Sequence, residues 1–278
     1  MRRSIVLSLA AVAACGGPGP SPATPAASAP TAATAAAAPT PGATASPTEA
    51  AGTSPSPFAF DRNPAAIVEG EPYAVRIDPA SFVEGIDHPF LPFAVGATFV
   101  FDGDEHVEVE VLPDRKVILG VTVTVVRDRV YEDGELVEDT LDWYAEDRQG
   151  NVWYFGEETA EYENGSIVST AGAWEAGVDG ALPGIIMLGE PRAGDQYRQE
   201  FYENEAEDMA AVVATTGSVS VAAGSWAGAD VLVTEEWTPL EAGVRERKTY
   251  ARGMGVVEIR TIEGGDELTT LTSATFPG

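Results

Sequence analysis

Apolar side chains recur at every second position through much of this chain, and that period belongs to strands rather than helices. Val107, Val109 and Val111 alternate with Glu108 and Glu110, giving one buried face and one acidic face. A Val- and Thr-rich run extends over residues 116–131, and residues 136–145 make the next strand. Asp133-Gly134 between them suits a hairpin turn, whose central residues need positive φ. Asp147-Arg148-Gln149-Gly150-Asn151 is a further turn into Val152-Trp153-Tyr154-Phe155, and Asn164-Gly165 sets that strand against Ser166-Ile167-Val168. Strands joined this closely must run antiparallel, because a parallel pair needs a crossover of about a dozen residues or more.

Residues 171–195 interrupt the rhythm. Gly172, Gly177, Gly180, Pro183, Gly184, Gly189, Pro191 and Gly194 surround an apolar patch of Leu182, Ile185, Ile186, Met187 and Leu188. A stretch this long without periodicity reads either as a lid over a site or as a crossover packed on the sheet. Strands resume near 196–202, 210–215, 229–237, 244–250, 254–262 and 267–275. Only residues 203–213 fit a helix as well as a strand. The expected fold is mainly β: an antiparallel meander forming a curved sheet or barrel-like half-shell, with little helix.

The N-terminus speaks to location. Met1-Arg2-Arg3 precedes an apolar stretch over 4–14, too short for a bilayer core, which takes about 20 residues, but suited to a signal peptide. It ends in Val12-Ala13-Ala14-Cys15, which resembles the lipobox of bacterial lipoproteins. That resemblance implies cleavage before Cys15 and acylation there, by diacylglycerol on the thiol and then a chain such as palmitate on the amine. Two or three chains anchor stably where one is marginal. Cys15 is the only cysteine, so no disulfide can staple the fold. Gly16 follows, where an aspartate would resemble an inner-membrane retention signal; this favours the outer membrane or cell surface over the cell membrane. Residues 16–57 are almost wholly Ala, Pro, Thr, Ser and Gly, with Glu49 the one charge. Such a tract cannot bury enough apolar surface to offset the entropy of ordering, and at about 3 Å per residue it can reach on the order of 100 Å. The expected organisation is a signal peptide over 1–14, a lipidated cysteine and disordered linker over 15–57, and one acidic β domain over 58–278.

Charge excludes several functions. The chain carries −28; without Arg2 and Arg3 that becomes −30, and setting Glu49 aside leaves −29 on residues 58–278. A domain this acidic repels nucleic acid and anionic headgroups, so membrane contact is expected through the lipid anchor alone. Only two histidines exist: His88 in a loop before Pro89, and His106 at a hairpin edge, expected to face solvent. With no Gly-x-Ser-x-Gly elbow, a serine hydrolase is disfavoured. Zinc-ligand spacings and glycine-rich phosphate loops are absent as well. No cofactor is expected unless it is calcium. Asp147 to Asn151 resembles part of a calcium loop without its alternating carboxylates, and Glu205, Glu207 and Asp208 are densely acidic. A plain hairpin turn and a solvated edge are the simpler readings of the two. Glu157-Glu158 with Glu161 is another dense cluster, and a glycosidase needs two carboxyls roughly 5–10 Å apart in a cleft.

In period-two geometry Trp143 faces away from Tyr144, while Trp153 and Phe155 share a face opposite Tyr154. Cross-strand pairing in the core explains them simply. The sharper reading is that Trp143, Trp153 and Phe155, with Ile185 and Met187, wall a groove for an apolar or lipid ligand, covered by residues 174–191.

Several stretches resemble an uncharacterised family of secreted bacterial proteins and lipoproteins: Ile86-Asp87-His88-Pro89-Phe90-Leu91-Pro92-Phe93, Asp142-Trp143-Tyr144-Ala145, Gly150-Asn151-Val152-Trp153-Tyr154-Phe155-Gly156-Glu157 and Glu236-Trp237-Thr238-Pro239-Leu240. The likeness covers most of residues 75–262 and implies one exported domain without implying an activity. Residues 219–226 and 250–257 resemble, more distantly, the curved-sheet envelope proteins of the LolA/LppX/TapB-like type, which wrap a hydrophobic groove. The expected function is that of a membrane-tethered, exported, non-catalytic binding or scaffold domain of the cell envelope. The alternatives are a calcium- or carboxylate-dependent hydrolase of envelope polymers and a calcium-dependent surface interaction module.

Overall fold

Short turns set the strand pairing, and most of them follow the sequence signals. The computed structural model describes residues 62–278. Cys15, the linker and residues 58–61 lie outside the described residues. The first half is a meander of β1 (Thr98–Gly103), β2 (His106–Ile118), β3 (Val121–Glu132), β4 (Glu135–Glu146), β5 (Val152–Glu163) and β6 (Ser166–Ser169). Asp133-Gly134 and Asn164-Gly165 turn with positive φ at both residues, which Asp, Asn and Gly tolerate. Leu119-Gly120 does the same, splitting the Val- and Thr-rich run into two strands at a point not expected to turn. The Leu119 side chain lies over Gly177, where a Cβ would come within 2.5 Å of its Cδ2.

The second half contains β7 (Trp174–Glu175), β8 (Leu182–Met187), β9 (Gln196–Arg198), β10 (Glu200–Phe201), β11 (Met209–Ala214), β12 (Gly217–Val221), β13 (Gly224–Gly228), β14 (Val231–Trp237), β15 (Arg245–Ala251), β16 (Gly255–Glu263) and β17 (Leu268–Thr275). The stretch 174–191 is not a cover: β7 and β8 are strands of the sheet, both paired with β5. Residues Pro183 to Met187 are all buried, and a strand apolar on both faces loses the period-two signal. The ambiguous stretch 203–213 resolves into a turn, with Asn204 at φ 63°, and then β11. The β12–β13 hairpin stands apart from the main sheet and packs Val219 and Trp226 on the core.

The main sheet is antiparallel throughout, in the order β10-β8-β5-β4-β3-β2-β1-β17-β16-β15-β14-β11-β9. Its first and last strands are consecutive in the chain, separated by Gln199 alone. The sheet therefore curls until one short piece of backbone joins its two edges, β9 pairing with β11 and β10 with β8. It does not close into a barrel with a continuous ladder. The sole helical turn among the described residues is a 3-10 turn, Pro79–Ser81, which Asp78 starts by accepting a hydrogen bond from the Ala80 N–H at 3.0 Å.

Candidate functional site

Register fixes which side chains share the inner face of this curled sheet. Val109 lies opposite Asp128, Asp128 opposite Thr140, and Thr140 opposite Thr159. Glu138 and Asp142 flank Thr140 on the same face, and Asp142 lies opposite Glu157. Across the interior, Thr234 lies opposite Lys248 and Glu236 opposite Glu246. The two walls sense one another, because the Lys248 ammonium acts on the Asp142 carboxylate, and Asp208 acts on both Glu157 and Lys248. Strands β4 and β15 are six places apart in the sheet order, so only its curl brings them together. Phe99, Phe101, Val107 and Val111 make another part of this interior apolar, and the ionisable groups form a buried polar belt beside it.

On the first wall one hydroxyl joins two carboxyls. The Tyr154 hydroxyl is 2.8 Å from Asp142 Oδ1 and 2.9 Å from Glu157 Oε2. It has one proton to donate, so one carboxyl keeps its own proton and donates to the Tyr154 oxygen. Burial favours that arrangement. It pushes Asp142 up to about 7, against the hydrogen bonds of Tyr154 and Tyr144 and the charge of Lys248. Glu157 goes well above the usual carboxylate range through burial and then through Asp142. Glu138 is raised to about 7 by burial, although the Thr140 hydroxyl donates to it at 3.0 Å. Tyr144 stacks on Tyr154 at 5.0 Å, and Trp174 meets Tyr154 edge-on while donating to Glu200 Oε2 at 3.0 Å.

The opposite wall holds an ion pair. Lys248 Nζ is 2.8 Å from Glu236 Oε2, with both side chains buried. The Thr234 hydroxyl donates to Glu236 Oε1 at 2.8 Å. Burial works against the Lys248 ammonium, but Glu236, Glu246 and Asp208 together hold its pKa above the ordinary value. Burial raises Glu246 to about 7 in spite of Lys248.

Tyr197 enters the belt from the junction of the sheet edges. It lies opposite Ala210, which lies opposite Glu236, so it faces inward. Buried polar atoms of this interior without a hydrogen-bond partner include the Tyr197 hydroxyl and Glu246 Oε1.

Most of the residues expected from sequence lie outside the belt, Asp208 and Glu157 being the exceptions. Trp143, Trp153, Phe155, Ile185 and Met187 are all buried in the core. Phe82 sits edge-on over Trp153 and Phe155, at 6.2 and 5.6 Å, in the place where the sequence suggested residues 174–191. The Asp147 carboxylate accepts from Gln149 N, Asn151 N, Asn151 Nδ2 and Trp153 Nε1 at 2.8–3.0 Å, while Asn151 Oδ1 accepts from Gly189 N. Glu205 is exposed, Glu207 pairs with Arg198 at 3.6 Å, and Asp208 is buried in the belt. Among the described residues no group of three or more His, Cys, Asp or Glu is arranged to hold a metal ion. His88 is buried and neutral: Nε2–H donates to Leu188 O and Nδ1 accepts from Phe90 N–H, both at 3.1 Å, and burial lowers its pKa to about 4. His106 lies near the surface with Nδ1 2.6 Å from Asp102. The belt itself had only a faint signal in the sequence. Glu235-Glu236 and Glu246-Arg247-Lys248 put charge on both faces of their strands, a departure from the usual apolar and charged alternation.

No protein-family model and no curated protein matches the sequence. Two crystal structures are similar at low identity. One, from Bacteroides fragilis NCTC 9343, is described as an exported protein with a YmcC-like fold; it is 12% identical, with a TM-score of 0.40 over 67% of this chain and 99% of that one. The other, from Parabacteroides distasonis ATCC 8503, is described as a lipoprotein; it is 10% identical, with a TM-score of 0.37 over 67% of this chain and 98% of that one.

Proposed function

We propose that this chain is an exported lipoprotein of the cell envelope, tethered through Cys15, whose β domain is a non-catalytic binding module with its ligand site at the polar belt. Val12-Ala13-Ala14-Cys15 and the Ala/Pro/Thr/Ser tract support the anchor and spacer. The observation that carries the binding reading is the burial of so many ionisable side chains inside one sheet. Apolar residues of similar volume would stabilise that interior at least as well, since desolvation of buried charges rivals or exceeds their attraction. A scaffold gains nothing from the belt, whereas perturbed, inward-facing polar groups are characteristic of binding and active sites.

Native mass spectrometry of the mature chain, released gently from membranes, tests this. A resident small-molecule mass that Asp142→Asn abolishes is the expected result. A bare polypeptide mass in wild type, unchanged after incubation with envelope extract, would make the belt a structural core. Cys15→Ala should move the protein to the soluble fraction, and its retention in membranes would count against the tether.

A further inference from the structure

Resting on the reading of the belt as the ligand site, we propose that the guest is an organic cation, an amine or guanidinium that also carries a hydroxyl or carbonyl acceptor. Two independent features of the belt converge on that chemistry.

Charge comes first. Asp142, Glu157 and Glu138 on one wall face Glu236 and Glu246 on the other, with Glu200 and Asp208 beside them. Lys248 is the single lysine among them, and its ammonium is already engaged by Glu236 at 2.8 Å. The belt thus has an excess of buried carboxyls over cations, which an anion would worsen and a neutral guest would leave uncompensated. A metal ion does not fit, because no three carboxylates converge on one point among the described residues.

Unmet hydrogen bonding is the second feature. Glu246 Oε1 is a buried acceptor without a donor, and an amine or guanidinium has several donors to offer. The Tyr197 hydroxyl is a buried donor without an acceptor, which a hydroxyl or carbonyl on the same guest would satisfy. Tyr197 is directed at the belt by its register and feels the charge of Glu236. Each atom left unmet carries a desolvation cost, so a guest completing both removes a standing penalty.

Proton linkage follows from the same geometry. Asp142 is faced by Tyr144, Tyr154, Glu157 and Lys248; Glu246 by Lys248, Glu236 and Glu267; Glu138 by Thr140, Asp139, Asp142 and Glu161. Burial holds all three carboxyls near pH 7, so a bound cation drives their ionisation and releases protons.

Isothermal titration calorimetry of the mature full-length chain with N-methylglucamine, ethanolamine, spermidine and sorbitol provides the test. N-methylglucamine and sorbitol share a polyol frame, and only the first carries an amine. One saturable site for an amine is expected, surviving about 0.15 M salt, with sorbitol silent. Affinity should rise several-fold between about pH 6 and about pH 8, with a heat that varies with the ionisation enthalpy of the buffer. Glu246→Gln should weaken that site at least tenfold while circular dichroism stays unchanged. Should that variant misfold, proton release by wild type still decides. Sorbitol binding as tightly as the amines, and losing affinity in Asp142→Asn, would overturn the cation while leaving the belt as the site. Several weak amine sites abolished by salt and indifferent to Glu246→Gln would mean surface attraction only and overturn the proposal. No binding by any probe, together with a bare native mass, would overturn both readings.

Discussion

Glu138 offers a clean measure of what the buried belt costs the fold. It lacks a cationic partner in the belt, and its one side-chain hydrogen bond comes from Thr140, which could donate equally to an amide carbonyl. Glu138→Gln therefore removes the titration and little else. Its pKa rises from 4.5 to about 7 on folding, chiefly through desolvation. At about 1.4 kcal/mol per unit, that is about 3 kcal/mol once the group is forced to ionise. A raised folded-state pKa gives stability that is fully present below about pH 4.5 and lost as pH climbs through about 7. Between about pH 5 and about pH 8 the wild type should thus lose about 2.5 kcal/mol through this group, and the variant none of it. His88 acts in the other direction, since its lowered pKa removes stability as pH falls from about 6.5 toward 4, but it does so in both proteins and cancels in the difference. Urea unfolding at the two pH values reads the effect as a midpoint difference of about 1 M, given a slope of about 2–3 kcal/mol/M. Near pH 5 the two proteins should unfold together, and near pH 8 the variant should be the more stable. Parallel pH profiles, or a variant weaker at both values, would refute the reasoning.

Lys248→Met should cost about 3–5 kcal/mol in urea unfolding by leaving Glu236 buried without its ion pair, and adding Glu236→Gln should restore most of it; a double mutant no better than the single would contradict this. Gly156→Ala places a Cβ 2.2 Å from the Trp174 carbonyl oxygen at φ +124°, so β7 must leave β5. Loss of at least about 2 kcal/mol and faster amide exchange around Trp174 are expected. His88→Ala strands the Leu188 carbonyl and the Phe90 N–H and opens a cavity, which should lower stability by about 2–4 kcal/mol on thermal unfolding. It should also remove the loss of stability between about pH 6.5 and pH 4 that His88 causes.

Strand periodicity and turn chemistry are local, and so the sequence by itself determined the meander. Val107, Val109 and Val111 do turn inward, and Asp133-Gly134 and Asn164-Gly165 do turn the chain, because side-chain alternation and positive φ are properties of a few neighbouring residues. Where an element depended on distant partners, the sequence was silent or misleading. Leu119-Gly120 turns left-handed without the Asn or Asp that marks the other turns, and the strand Leu182–Met187 has no alternation because both of its faces are covered. The stretch 203–213 became a strand because Ala210 and Val212 found partners in Glu236 and Thr234. The belt lies furthest from local reading. Asp142 and Lys248 are more than a hundred residues apart, and nothing in either strand's own sequence says that its charged inner face is buried. Only the curl of the sheet decides that this face has no solvent. What a charged side chain does depends on the dielectric around it, and that is set by the whole fold rather than by its neighbours in sequence.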